Sequence, residues 1–158
     1  KKAFPKEAID IFNESKQAKT SLVLGDLASK NIIVEKNQTR FLDLELAFIG
    51  DPAFDVAFLF CHYLLQVPKI SINQSALFIQ NSMKGYRQEI SKYITKDEVG
   101  KLENRVIRIL GITLLYRLYD QHFSTQTEDS IDKWKSIAHN LLRETKATNI
   151  SKALAKYM

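Results

Sequence analysis

Short β-prone runs and long helical patterns occupy separate parts of this chain, and that separation limits the fold more than any other feature. The β-prone runs are residues 22–24, 32–34 and 40–42, with a polar turn at 36–38 between the last two. After residue 51, apolar residues recur at spacings of three and four, which is the period of a helix. Strands followed by helices, without regular alternation, are typical of an α+β fold. The sequence therefore predicts an α+β, mostly helical chain.

Start signals delimit five or so helices around the β region. Pro5 suits the first turn of an opening helix. Asp51 followed by Pro52 is a cap residue and a first-turn proline, and Thr95 with Glu98 three residues later forms a capping box. The helices predicted after Asp51 cover residues 54–65, 74–93, 95–117, 130–144 and 151–157, with a polar loop at 124–129.

Length and composition fit one globular domain over residues 1–158. A chain of this size buries roughly 68–70% of its unfolded surface, enough for a core. The longest apolar run, 56–67, is shorter than the roughly 20 residues of a membrane span, and the only cysteine, Cys61, excludes an internal disulfide. The chain starts at Lys1 without methionine or a signal-peptide pattern. We expect a piece of a longer, cytoplasmic protein with no membrane partner.

The net charge of +5 is concentrated in the helical part. Residues 1–59 carry 8 basic and 9 acidic side chains, or −1, and residues 60–158 carry 15 basic and 9 acidic, or +6. The cations are dispersed at helix-like spacings without an arginine-rich block, as in Lys84, Arg87, Lys92, Lys96, Lys101, Arg105 and Arg108. This pattern favours a solvated helix face over a nucleic-acid patch, so we expect no nucleic-acid partner.

Polar residues follow the predicted strands at regular intervals. Gly25 and Asp26 end the first strand, Asn31 comes five residues later, and Asp43 ends a third strand. Each alone is most often a turn or a cap. Together, two carboxylates and a carboxamide make an oxygen-rich cluster of the kind that holds Mg²⁺. The carboxylate that the metal does not use can orient or deprotonate a hydroxyl nucleophile.

Three sequence blocks carry a family resemblance: Gly-Asp-Leu-Ala-Ser-Lys-Asn at 25–31, Phe-Leu-Asp-Leu-Glu at 41–45, and Gly-Asp-Pro-Ala-Phe-Asp-Val-Ala at 50–57. Their order and distances resemble the catalytic lobe of the aminoglycoside phosphotransferase and choline kinase group, relatives of the protein kinases. The resemblance implies the C-terminal lobe of a kinase-like fold, whose small β region carries the catalytic and metal loops. It also implies Mg²⁺, ATP or GTP as phosphate donor, and a small-molecule hydroxyl acceptor such as an aminoglycoside, amino alcohol, sugar or methylthioribose-like compound.

The resemblance also assigns roles to individual residues. Asp26 corresponds to the catalytic aspartate, which accepts the proton of the substrate hydroxyl or aims its oxygen. Asn31 and Asp43 correspond to the Mg²⁺ ligands. Glu45, the second acid of an Asp-x-Glu pattern similar to methylthioribose kinase, would touch metal through water or the substrate. Asp55 resembles the buried aspartate that braces the catalytic loop through backbone N–H groups.

Three further residues near these blocks need interpretation. Lys30, four residues after Asp26, resembles the cation that lies near the transferring phosphoryl group in tyrosine kinases; the alternative is a solvated lysine. Leu24 stands where the family usually has histidine, so one loop-orienting hydrogen bond is absent. We interpret Asp51 as only a helix cap.

The parts that clamp the nucleotide are missing from the sequence. No glycine-rich loop and no strand lysine are present, so the expected partner is an N-terminal, nucleotide-binding lobe of the same protein. The chain alone should then bind ATP poorly and be inactive. The +6 helical part favours a neutral or anionic acceptor. The alternative is a degenerate kinase-like scaffold without catalysis, whose basic helices contact a polyanion.

Overall fold

The computed structural model describes residues 6–66, 72–119 and 128–157, which form six α-helices and four short strands. The predicted α+β, mostly helical class is confirmed. The Pro5 helix start and most of the predicted loop 124–129 lie outside the described residues. In chain order the elements are α1 (Lys6–Gln17), β1 (Ser21–Val23), β2 (Ile32–Glu35), β3 (Gln38–Phe41), β4 (Phe48–Gly50), α2 (Ala53–Gln66), α3 (Ile72–Ile90), α4 (Lys96–Tyr119), α5 (Glu128–Leu142) and α6 (Ile150–Tyr157).

Helix α4 lies at the centre of the helical part, in contact with α1, α2, α5 and α6. Its apolar side chains join those of α2, α5 and α6 in one buried core. Gly111 allows α4 and α5 to approach closely, because a Cβ there would lie 2.6 Å from the Ala138 carbonyl oxygen and from the Leu142 backbone nitrogen. Among the described helices, none combines the length and the apolarity that crossing a bilayer requires.

The strands form two separate antiparallel pairs rather than one sheet. Strands β2 and β3 make the predicted hairpin, with Ile32 opposite Phe41. Strand β1 pairs with β4, with Leu22 opposite Ile49. The sequence analysis did not predict β4, and it extended the third strand too far, since β3 ends at Phe41 and Asp43 has a φ of +58°. The β1–β4 pair brings together the two ends of the segment 24–47, which contains Asp26, Asn31 and Asp43.

The helix-start signals have the predicted geometry. The Thr95 hydroxyl accepts a hydrogen bond from the Glu98 backbone N–H at 3.3 Å, and the Glu98 carboxylate accepts one from the Thr95 N–H at 2.8 Å. The Thr95 N–H and the Thr95 hydroxyl both donate to the Glu98 carboxylate, and these bonds hold the Glu98 pKa below its ordinary value. At α2, a carboxylate oxygen of Asp51 accepts the Ala53 N–H at 3.0 Å. At α6, the Asn149 side chain accepts the Lys152 N–H at 3.0 Å.

The interpretation of the basic residues as one solvated face is wrong for three arginines. Each reaches a carboxylate on another element: Arg87 to Glu103, Arg105 to Asp51 and Arg108 to Glu14. The lysines of the same region, such as Lys84 and Lys101, are exposed as predicted. The arginines therefore cross-link the helical part, because a planar guanidinium can donate several hydrogen bonds at once.

Candidate functional site

Asp26 and Asn31 meet across a short turn that follows β1. The Asn31 side-chain nitrogen donates to the Asp26 backbone oxygen at 2.9 Å and to its carboxylate at 3.0 Å. A 3₁₀ turn, Ser29–Asn31, makes this return possible, and the Asn31 N–H donates to the Ala28 carbonyl at 2.9 Å. These bonds orient the Asp26 carboxylate. They also leave the Asn31 amide oxygen as the atom that can ligate a cation.

Asp55 fixes the backbone just before Asp26. It lies in the first turn of α2, is buried, and accepts the Leu24 N–H at 2.6 Å and the Gly25 N–H at 3.1 Å. Hydrogen bonds to an ionised carboxylate are about twice as strong as neutral ones. The backbone that leads into the Asp26 turn is therefore attached to the start of α2.

Gly25 brings a second loop against the first. Its φ is +83°, a conformation that favours glycine. A Cβ at this position would lie 2.5 Å from the Leu46 carbonyl oxygen, so the loop after Asp43 packs directly on the Gly25 backbone. Any side chain here would push the two loops apart.

Asp43 and Glu45 lie on this second loop and are exposed. The Leu42 N–H donates to the Asn31 carbonyl at 2.9 Å, which brings the chain at Asp43 beside Asn31. The described residues contain no group of three or more His, Cys, Asp or Glu side chains that could hold a metal. The Asn31 and Asp43 oxygens nevertheless have the chemistry that suits Mg²⁺, which keeps several waters and substrate oxygens.

Lys30 contacts the predicted catalytic carboxylate. Its ammonium nitrogen lies 3.3 Å from an Asp26 carboxylate oxygen, while 68% of its side chain is exposed. The lysine is thus both solvated and paired. The pair puts a positive charge at the mouth of the Asp26 turn.

The interpretation of Asp51 as only a cap is wrong, because it is also the centre of a buried network. Arg105 donates to its two carboxylate oxygens at 2.8 and 3.2 Å, and the Ser15 hydroxyl donates at 2.8 Å. The side chains of Asp51 and Arg105 are 4% and 17% exposed. The network joins α1, α2 and α4 one helical turn before Asp55. The sequence analysis did not predict that Arg105 belongs to this network. The only indication in the sequence is that residue 105 is an arginine.

An apolar cavity of about 450 Å³ lies beside the Asp26 turn. It is bounded by Leu24 and Leu27, by the start of α2, and by Met83 and Tyr86 of α3. Burial raises the Tyr86 pKa above its ordinary value, and the charges of Asp51 and Asp55 add to the shift. The Tyr86 hydroxyl therefore stays protonated. A larger depression of about 760 Å³ borders Arg105 but contains none of the predicted site residues.

The strand region has an unusually apolar surface. Nine large apolar side chains there are exposed, and we term them the strand surface: Leu22, Ile33, Val34, Phe41, Leu42, Leu44, Leu46, Phe48 and Ile49. Single exposed apolar residues are ordinary in proteins, but a concentration of them marks an interaction surface.

A model described as the phosphotransferase enzyme family matches residues 2–93, more than half of the 158 residues. The matched range includes each predicted site residue from Asp26 to Asp55. No curated protein matches the chain.

Proposed function

The chain belongs to the phosphotransferase enzyme family, and from that premise we propose that it is the catalytic lobe of an ATP-dependent kinase acting on a hydroxyl group of a small molecule. The observation that carries this proposal is the attachment of the Asp26 turn to α2. Asp55 accepts two backbone N–H groups just before Asp26, at 2.6 and 3.1 Å. A fixed carboxylate is what positioning a hydroxyl for phosphoryl transfer requires.

In the proposed reaction, Asp26 receives the proton of the acceptor hydroxyl. The hydroxyl oxygen forms a bond to the γ-phosphorus of the donor, and the bond from that phosphorus to its bridging oxygen breaks, which releases the nucleoside diphosphate. Asn31 holds the Asp26 carboxylate in place through its amide nitrogen. Lys30, 3.3 Å from the same carboxylate, would face the transferring group and offset its negative charge.

Mg²⁺, when bound, would neutralise charge on the donor phosphates. Asn31 and Asp43 are the residues that we propose as its ligands, and their oxygen atoms support this assignment. Glu45 is proposed to reach the metal through water or to touch the substrate.

We also propose that the nucleotide, ATP or GTP, is bound mainly by an N-terminal lobe of the same protein. The strand surface supports this proposal, because a covering domain would bury its nine apolar side chains. The 158-residue chain alone is then expected to bind MgATP poorly and to transfer no phosphate. Calorimetric titration of MgATP into the chain tests this point. Micromolar binding with measurable turnover would contradict it.

The catalytic proposal is tested on the complete protein with Mg²⁺, ATP or GTP, and a panel of hydroxyl acceptors. Asp26→Asn should lower turnover by roughly 10²–10⁴-fold, the usual contribution of a general base. Asp10→Asn is the matched control, because Asp10 is an exposed carboxylate on α1. If the folded wild-type protein transfers phosphate to nothing in the panel, the scaffold alternative gains support. That alternative rests on Leu24 in place of the usual histidine.

The role of Lys30 has its own comparison. Lys30→Ala should lower turnover at least several-fold if the ammonium faces the transferring group. Lys36→Ala removes an exposed lysine from the hairpin turn and serves as the control. Equal turnover in the two variants would leave Lys30 as a solvated lysine only.

A further inference from the structure

The proposed phosphoryl transfer gives no role to the apolar cavity beside the Asp26 turn. We propose that it binds the apolar, uncharged part of the acceptor, so that the substrate is an alcohol carrying an alkyl or aromatic group. This inference rests on the proposed function and narrows its substrate class. It disfavours a polycationic aminoglycoside as the acceptor.

The position of the cavity is the first observation that supports the proposal. Two of its lining residues, Leu24 and Leu27, lie on either side of Asp26 in the sequence. Asp26 itself does not line the cavity, so a group held there lies next to the turn and its hydroxyl would extend from the cavity to the proposed base. The opposite walls come from α2, through Leu59, and from α3, through Met83. Its volume, about 450 Å³, lies within the range of roughly 300–1,000 Å³ that is usual for small-molecule sites.

The chemistry of the lining side chains is the second observation that supports the proposal. Most lining side chains are apolar, and no Lys, Arg or His of the described residues contributes to the wall. The one charged side chain is Asp55, whose two oxygens already accept backbone N–H groups from Leu24 and Gly25. A polycation would therefore meet one buried, hydrogen-bonded carboxylate and no other acidic side chain in the wall. The hydroxyl-bearing residues Ser21, Ser82 and Tyr86 supply the few polar points that orient a ligand in an apolar site.

A bulky side chain at Ser82 tests the proposal by filling the cavity. Ser82 is half-buried in the wall, whereas its neighbour Asn81 is exposed. In the complete protein, Ser82→Phe should raise the KM for apolar alcohols at least tenfold. The KM for MgATP and the acceptor-independent hydrolysis of ATP are measured on the same variant, to separate an effect on the cavity from damage to the nucleotide site. Asn81→Phe, the matched control on the same helix, should leave all three values unchanged.

A series of acceptors measures the same site in the wild-type complete protein. The probes are primary alcohols from ethanol to 1-hexanol, 4-phenylbutan-1-ol, and a polycationic aminoglycoside. Each methylene that enters the apolar pocket should raise kcat/KM roughly tenfold, up to the limit of the cavity, which is the low end of the usual discrimination for one methylene. Calorimetric binding of 4-phenylbutan-1-ol with and without Ser82→Phe gives a readout independent of turnover.

The outcomes separate this inference from the proposed function. Turnover with no dependence on chain length, or with preference for the aminoglycoside, would overturn the apolar site and leave the kinase. Absent turnover with alcohol binding that Ser82→Phe abolishes would overturn the kinase and leave the site. If no alcohol binds and Ser82→Phe lowers thermal stability, the cavity is filled by another part of the protein, and the inference fails.

Discussion

Removal of Arg105 should destabilise the chain strongly, because it leaves a buried carboxylate without its cation. Arg105→Met keeps most of the side-chain length but removes both hydrogen bonds to Asp51. Loss of one partner of a buried ion pair costs about 3–5 kcal/mol. Asp51 is 4% exposed, yet it keeps the donors Ser15 and Ala53, so we expect the lower end, about 3 kcal/mol. For a chain of this length, that corresponds to a fall in Tm of roughly 6–12 °C.

The matched control lies one turn earlier on α4. Lys101 pairs with Asp97 at 2.6 Å, but the two side chains are 69% and 75% exposed. An exposed helical pair contributes little to stability because solvent screens it, so Lys101→Met should change Tm by about 2 °C or less. Urea unfolding and calorimetry of the 158-residue chain would measure both variants.

A second substitution separates lost packing from unpaired charge. Asp51→Asn removes the buried charge and retains an oxygen that can cap α2. Added to Arg105→Met, it should restore part of the lost stability, since the uncompensated carboxylate is gone. Two results would refute the reasoning: an Arg105→Met variant as stable as Lys101→Met, or a double variant less stable than Arg105→Met alone.

Three other predictions concern single positions. Gly111→Ala should lower the free energy of unfolding by about 1–3 kcal/mol, because its Cβ meets α5 backbone atoms at 2.6 Å. Gly85→Ala should raise it by about 0.5–1 kcal/mol, because a Cβ at this position of α3 has nothing within 4 Å. Urea unfolding compares the two variants. Burial raises the pKa of Cys61 to about 12, so a disulfide reagent at pH 8 should react only after unfolding, and rapid reaction of native protein would contradict this. Glu103→Ala should lower the free energy of unfolding by about 3 kcal/mol, because the buried Glu103 carboxylate accepts three hydrogen bonds. Glu89→Ala, at an exposed position, should lower it by less than about 1 kcal/mol.

The helices were predictable because their signals are local. The capping box at Thr95 and Glu98 and the cap at Asp51 are readable within a few residues, and both have the expected geometry. Strand β4 has no such signal. It is three residues long and its partner β1 lies more than twenty residues earlier, so its pairing depends on the folded chain rather than on local preference.

The contacts of the candidate site also differ in whether they join residues that are close together or far apart in the sequence. The contact between Asp26 and Asn31 spans five residues and follows from one turn, so its spacing was visible in the sequence. Arg105 reaches Asp51 across 54 residues, and a helix-like spacing of cations does not reveal which of them turns inward. The sequence-based interpretation treated the arginines and lysines alike, and only the folded structure separates them. The catalytic and metal-binding roles proposed for Asp26, Lys30, Asn31, Asp43 and Glu45 stay predictions.

The ion pairs of α4 have a consequence for the order of events during synthesis. Helix α1 and the start of α2 are made early, but their partners Arg105 and Arg108 follow their carboxylates by 54 and 94 residues. At roughly 5–20 residues per second, several seconds separate the two ends of the Asp51 pair. On the ribosome the Asp26 turn therefore lacks its final support until α4 has emerged. A nascent chain stopped before Arg105 should expose core side chains of α1 and α2, such as Ile11 and Phe60, to chaperones, and emergence of the whole of α4 should bury them.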